Sequence, residues 1–141
     1  FLLQIEMKGS YALLIYLSEV KKIKIGRLGT IDFNPGFYVY IGSALQSLSA
    51  RINRHLRSEK KLHWHIDYFL QHASIVNSYY KESNGHEECQ IAKEFLSIFE
   101  SIAGFGCSDC SCKSHLFYGS KQQLLNVIDY CNMLLYKKAN T

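Results

Sequence analysis

The chain has 141 residues, 48% of them hydrophobic and only one a proline, so it suits a packed globular domain and excludes a disordered or low-complexity chain. Its 16 basic and 12 acidic residues give a net charge of +4, which suits a partner that carries phosphates without requiring one. Polar residues 4, 6 and 8 interrupt the apolar start, which argues against a membrane span or a signal peptide there. Five cysteines, an odd number, argue against a disulfide framework and predict a reducing, cytoplasmic location.

Hydrophobic patterning predicts strands and helices in one domain that covers residues 1–141. Strands are predicted over residues 10–17, 21–26, 37–41, 75–81 and 115–118, and the short connection 18–20 predicts that the first two form a hairpin. Helices are predicted over 47–57, 62–71, 87–102 and 121–136, with a loop over 105–114. We therefore expect an α+β fold with a small antiparallel or mixed β-sheet flanked by helices.

Two tyrosines stand beside glycines in neighbouring predicted strands. Tyr11 lies two residues after Gly9, and Tyr40 lies two residues before Gly42. A phenol has a reference pKa near ~10 and acts as a base at neutral pH only where a cation or a hydrogen bond favours the phenolate. Strands favour tyrosine, so either residue taken singly is structural, but adjacent glycines permit the close approach of a ligand.

The helix predicted over 47–57 carries Arg51 and His55 one turn apart. Arg51 can hold a phosphate through two parallel N–H bonds and stabilise the charge that develops on it. His55 can bond a phosphate or relay a proton. The structural alternatives are an arginine that is solvated or paired with a carboxylate, and a histidine that is only packed.

Glu88 occupies an unusual position in the helix predicted over 87–102. Helical spacing places it in the middle of the apolar stripe that includes Ile91, Phe95 and Phe99. A carboxylate that faces the core is costly unless it is paired or bound to a metal ion. We expect a metal ligand, and the alternatives are a buried salt bridge or a solvated helix start.

The loop over 105–114 and the residue that follows it hold four soft ligands. They are Cys107, Cys110, Cys112 and His115, and structural zinc prefers cysteine and histidine in fours. Their spacing differs from common zinc fingers, in which the ligands come as two separated pairs. Two interpretations stay open: a zinc site, or reduced cysteines that pack a tight loop with His115 turned into the cleft.

The combined motifs resemble the GIY-YIG nuclease superfamily. The resemblance rests on residues 9–55 and on Glu88, with Tyr11 as the first motif tyrosine and residues 40–42 (YIG) as the intact second motif. Three longer runs indicate a branch of the superfamily: 38–44 (YVYIGSA), 63–67 (HWHID) and 105–110 (FGCSDC). Within the superfamily the chain is most similar to a small microbial branch that is sometimes fused to base-excision repair enzymes. We expect the run 63–67 to lie mainly in a packing helix.

The resemblance implies a role for each matching residue. Tyr11 would be the general base on water, Tyr40 would hydrogen-bond the reacting phosphate or water, and Glu88 would hold one Mg²⁺ or Mn²⁺. Arg51 would stabilise the pentavalent transition state. His55 and Ser43 match further positions of the family motif. We expect four of these side chains to converge on one concave surface: Tyr11, Tyr40, Arg51 and Glu88. We also expect Arg51 and the cation to lower the pKa of Tyr11.

The function expected from this resemblance is metal-dependent endonuclease activity on DNA or another nucleic acid, in repair or processing. A repair enzyme is an expected protein partner. A basic patch after the second motif is expected to bind the phosphate backbone, with Arg54 and Arg57 pointing outward; it consists of Arg51, Arg54, Arg57, Lys60 and Lys61. The alternatives are a nucleic-acid-binding module without turnover and a zinc-stabilised interaction domain.

Overall fold

The computed structural model describes residues 7–84, 86–107 and 112–137. The strands are β1 (Gly9–Leu17), β2 (Lys21–Ile25), β3 (Gly29–Phe33), β4 (Gly36–Ala44), β5 (Ser74–Glu82), β6 (Glu100–Ser101), β7 (Leu116–Gly119) and β8 (Leu134–Tyr136). The helices are α1 (Leu48–Leu56), α2 (His65–Phe69), α3 (Glu88–Leu96) and α4 (Lys121–Tyr130).

The described strands form a six-stranded antiparallel sheet in the order β6-β7-β4-β1-β5-β8, with β2 and β3 as a separate two-stranded ribbon. Helices flank the large sheet, so the predicted α+β fold is confirmed. The central strand β1 pairs with β4 on one side and β5 on the other.

Two cores lie on the two faces of this sheet because successive side chains of a strand point to opposite faces. Tyr11 and Leu13 belong to the core beneath α1, α2 and the β2–β3 ribbon. Ala12 and Leu14 belong to the core beneath α3 and α4. The side chains of β1 are buried on both faces up to Ile15, as expected for a central strand.

The predicted hairpin between residues 10–17 and 21–26 is wrong. β2 pairs with β3 instead, and β1 has no free edge because β4 and β5 occupy both of its sides. The chain reverses through a short 3₁₀ turn between Gly26 and Gly29, whose φ values are 45° and 93°. Such positive φ values suit glycine, which permits the tight reversal.

Several predicted boundaries also differ from the structure. The strand predicted over 37–41 continues through Gly42 to the end of β4, because Gly42 stays in register opposite Tyr11. The helices predicted over 62–71, 87–102 and 121–136 are shorter than expected. The last of them stops at Tyr130, and Asn132, with a φ of 61°, leads the chain into β8. None of the helices in the described ranges is long and apolar enough to cross a membrane.

Candidate functional site

Neighbouring strands β1 and β4 bring the two motif tyrosines to the same face of the sheet. The ring centroids of Tyr11 and Tyr40 are 6.3 Å apart, and the residues are 2% and 8% exposed. Gly42 lies opposite Tyr11, and a Cβ atom at this position would overlap the Tyr11 ring. The glycine of the second motif therefore makes room for the tyrosine of the first.

Helix α1 places Arg51 and His55 against these tyrosines. The hydroxyl of Ser47 accepts a hydrogen bond from the Ala50 N–H and caps the start of the helix. One turn after Arg51, the buried His55 brings Nε2 within 2.7 Å of the Tyr11 hydroxyl. The expected helix is confirmed, and His55 is bonded to the first motif tyrosine.

Burial sets the protonation of this Tyr11–His55 pair. It raises the pKa of Tyr11 well above its ordinary value, although the adjacent Arg51 guanidinium lowers it in part. The expectation that the pKa of Tyr11 lies below the usual value is therefore wrong for the protein without a bound cation. Burial also lowers the pKa of His55 to about 3, so the imidazole is neutral near pH 7. The buried hydroxyl is satisfied when Tyr11 donates to Nε2 of the neutral ring.

Ser43 joins the arginine to the predicted metal ligand. Its backbone carbonyl accepts a hydrogen bond from Nη1 of Arg51 at 3.0 Å. Its hydroxyl donates to Oε1 of Glu88 at 2.8 Å. One residue at the end of β4 thus contacts both side chains.

Glu88 approaches Ser43 from the helix α3, which packs on the second face of the sheet. The body of α3 packs on the sheet face opposite Tyr11 and Tyr40, through Ile91 and Phe95. Glu88 is the first residue of the helix, and its side chain is 32% exposed, so it is not enclosed in the apolar stripe as predicted. Its carboxylate is still close enough to raise the pKa of both tyrosines, after the larger effect of burial.

The run 63–67 supports the arginines, a contribution that sequence reasoning missed. The guanidinium carbons of Arg51 and Arg54 lie 4.5 and 4.4 Å from the centre of the Trp64 ring, which is cation–π geometry. Arg54 donates two hydrogen bonds to the buried carboxylate of Asp67, at 2.9 and 3.0 Å. Burial raises the pKa of Asp67. The hydrogen bonds from Arg54 and from the backbone N–H groups of His63 and Trp64 lower it by more, so the net shift is downward.

The predicted basic patch divides into cations with different surroundings. Arg54 does not point outward as expected, because Asp67 holds its guanidinium. Lys60 donates to the carbonyls of His55 and Arg57 after the end of α1. Arg57 and Lys61 are exposed, as a phosphate-binding surface requires.

A group of side chains that could hold a metal ion lies next to Glu88, and its members differ in part from the predicted ligands. Potential ligand atoms of Cys89, Cys112 and His115 all lie within 4.8 Å of one another, so this group could bind a metal ion. Cys107 is not in the group; its thiol donates to the Phe105 carbonyl at 3.4 Å. Residue 110, the remaining predicted ligand, lies outside the described residues. Sequence reasoning missed Cys89, whose one available signal was its position directly after Glu88.

A cavity of about 300 Å³ opens beside Tyr40. Its lining includes Arg27, Trp64 and Tyr68, with the backbone of Gly106. Aromatic and cationic side chains are therefore present where a substrate could approach the second motif tyrosine.

Comparisons with known proteins give one match. The family model described as a domain of unknown function, DUF123, matches residues 10–135. No curated protein and no solved structure matches the chain.

Proposed function

The chain belongs to the DUF123 family, whose function is unknown, and we propose from the site itself that it is a metal-dependent endonuclease. Its substrate would be DNA or another nucleic acid, and its role would lie in repair or processing, with a repair enzyme as partner. The cytoplasmic location expected from the cysteine content is part of the same proposal.

The observation that carries this proposal is the connection among the motif residues. Ser43 contacts both Arg51 and Glu88, and Arg51 lies beside the bonded pair of Tyr11 and His55. Phosphodiester hydrolysis needs a cation to offset developing charge, a group that orients water and a ligand for a divalent ion. The resemblance to GIY-YIG nucleases assigns these roles to the same residues.

Glu88 fits a hard divalent cation. One carboxylate oxygen accepts from Ser43, the other lies 3.8 Å from Nδ1 of His115, and the side chain is partly open to solvent. Mg²⁺ is commonly held by one or two carboxylates together with waters and substrate phosphates. When bound, Mg²⁺ or Mn²⁺ would supply positive charge at the reacting phosphate. Zn²⁺ suits the neighbouring thiol and imidazole group better, because thiolates and imidazoles are its preferred ligands.

The side chains would divide the remaining work. Arg51 would hold a non-bridging phosphate oxygen and stabilise the charge that grows there as water attacks phosphorus. Tyr11 would accept a proton from water once ionised, a change that burial opposes and Arg51 favours. Neutral His55 would hold the Tyr11 hydroxyl in place, and Tyr40 would hydrogen-bond the phosphate or the water.

Turnover of supercoiled plasmid with Mn²⁺ tests this proposal. Glu88→Gln and Arg51→Ala should each lower kcat about 100-fold or more with little change in DNA affinity, because their charges act mainly in the transition state. Glu94→Gln, on the same helix, should retain activity. Arg57→Ala should weaken binding and make the log–log salt dependence shallower by about 0.9 for each phosphate that the protein no longer neutralises. Unchanged kcat in Glu88→Gln would contradict the role of Glu88 as the metal ligand, and the absence of cleavage by the unmodified chain with either Mg²⁺ or Mn²⁺ would contradict the nuclease assignment.

A nucleic-acid-binding module without turnover is the second candidate. The observation that favours it is the burial of Tyr11 and Tyr40, which keeps both phenols protonated at neutral pH. In that case Arg51→Ala would weaken DNA binding, and no preparation would cleave DNA with Mg²⁺ or Mn²⁺.

A further inference from the structure

Cys89, Cys112 and His115 come from two chain segments that meet at the start of α3. Cys89 is the second residue of α3, and the other two lie in the segment that leads into β7. Ligands placed tetrahedrally around zinc, with Zn–S of about 2.3 Å and Zn–N of about 2.0 Å, lie about 3.3–3.8 Å apart. Atoms already within 4.8 Å of one another therefore need to close by at most about 1.5 Å.

We propose that Cys89, Cys112 and His115, with a water molecule as the fourth ligand, form a zinc site that ties the start of α3 to the segment entering β7. This ligand set differs from the cysteine loop predicted from the sequence, because it uses Cys89 and omits Cys107. Two thiolates and one neutral imidazole balance the charge of Zn²⁺. A neutral centre suits this location, where the cysteines are half-buried and the histidine is buried.

The surroundings of His115 prepare it as a ligand. Its Nδ1 lies 3.0 Å from the carbonyl oxygen of Ile41. A carbonyl oxygen can only accept, so Nδ1 carries the proton and the lone pair is on Nε2. Metal-binding histidines commonly donate their other ring N–H to a carbonyl or carboxylate, which fixes the tautomer and the ring orientation. The Glu88 carboxylate, 3.8 Å from Nδ1, adds to this preference.

The start of α3 would gain order from this ligation. The residue before the helix, Glu87, makes no side-chain capping bond to the first turn. A metal bond at Cys89 would fix that turn, and the helix dipole favours a thiolate at this end. Glu88 lies in the same turn, so the ordering of this turn by zinc would also keep the Glu88 carboxylate next to the Ser43 hydroxyl. This last consequence rests on the proposed nuclease function, but zinc binding does not.

Metal titration of the reduced protein tests the site. After treatment with a chelator, one equivalent of Co²⁺ should produce thiolate-to-metal charge-transfer bands and visible bands of tetrahedral cobalt, and Zn²⁺ should abolish both. Cys89→Ser should lower zinc affinity by more than the roughly 10–100-fold that outer-shell changes cause. The matched controls Cys107→Ser and Cys131→Ser should retain the spectrum and the affinity of the unmodified chain. Loss of the spectrum in Cys107→Ser, with retention in Cys89→Ser, would assign the metal to the loop and overturn the proposal.

A second measurement uses the unmodified chain and does not depend on the folding of a variant. Zinc should protect Cys89 and Cys112 from alkylation, as mapped by mass spectrometry, and should leave Cys107 reactive. Equal labelling with and without zinc would overturn the proposal, as would a disulfide between Cys89 and Cys112 that persists in reductant. Zinc binding without DNA cleavage would reject the nuclease and leave the zinc site standing, so the two failures can be told apart.

Discussion

Acidification should destabilise this protein through His55, and the size of the effect follows from its environment. The pKa of His55 falls from 6.5 to about 3 in the fold because the ring is buried. Between these values the unfolded chain binds a proton that the folded chain does not, so stability rises with pH across this window. Each unit of pH in the window is worth about 1.4 kcal/mol, so lowering the pH from 7 to 5 should cost about 2 kcal/mol.

Urea unfolding followed by the fluorescence of Trp64, the single tryptophan, measures this effect. His55→Gln should reduce the loss of unfolding free energy between pH 7 and pH 5 by about 2 kcal/mol relative to the unmodified chain. Glutamine still offers a side-chain oxygen to the Tyr11 hydroxyl but does not titrate. His63→Gln, at an exposed position, should leave the pH dependence of the unmodified chain in place. Equal losses in His55→Gln and the unmodified chain would refute a histidine that folding keeps neutral.

Two further predictions concern the buried carboxylate and the motif tyrosine. Asp67→Asn should lower the free energy of unfolding by about 3–5 kcal/mol, because it leaves a cation without its partner. The ion pair of Lys22 and Asp32 is exposed and serves as the control, so Asp32→Asn should lower the free energy of unfolding by less than about 1 kcal/mol in the same urea titration. The initial rate of DNA cleavage should rise with pH through the alkaline range, and Tyr11→Phe should remove both this rise and most activity. A rate that is already level at neutral pH and persists in Tyr11→Phe would instead fit a base with the low pKa of His55.

The elements that sequence could predict were those with a local signal. The apolar run of β1 and the helix that carries Arg51 and His55 both follow from residues close together in the chain. The partner of β2 could not be predicted in this way. β2 cannot pair with β1 because β4 and β5 occupy both sides of β1, and β5 lies about 60 residues further along the chain. A short connection favours a hairpin but cannot reveal that the edge is already taken.

In the candidate site, too, the residues with a local sequence signal could be predicted, and the contacts between distant residues could not. Tyr11, Tyr40 and Arg51 stand out through glycines and helical spacing, and β1, β4 and α1 bring them together. The contact of Ser43 with Glu88 and the grouping of Cys89 with Cys112 join residues more than 20 positions apart. No periodicity records such contacts. The burial that raises the pKa of Tyr11 is likewise a property of the assembled core.

The close approach of Gly42 to the Tyr11 ring limits how this protein can change over evolutionary time. Any side chain at position 42 would occupy the space of the phenol, so a substitution there is tolerated only if position 11 becomes smaller first or at the same moment. Each single step is expected to lower fitness, whereas the pair could be neutral for folding. Positions 11 and 42, about 30 residues apart, are therefore expected to vary together, and a lineage without the tyrosine would no longer need the glycine.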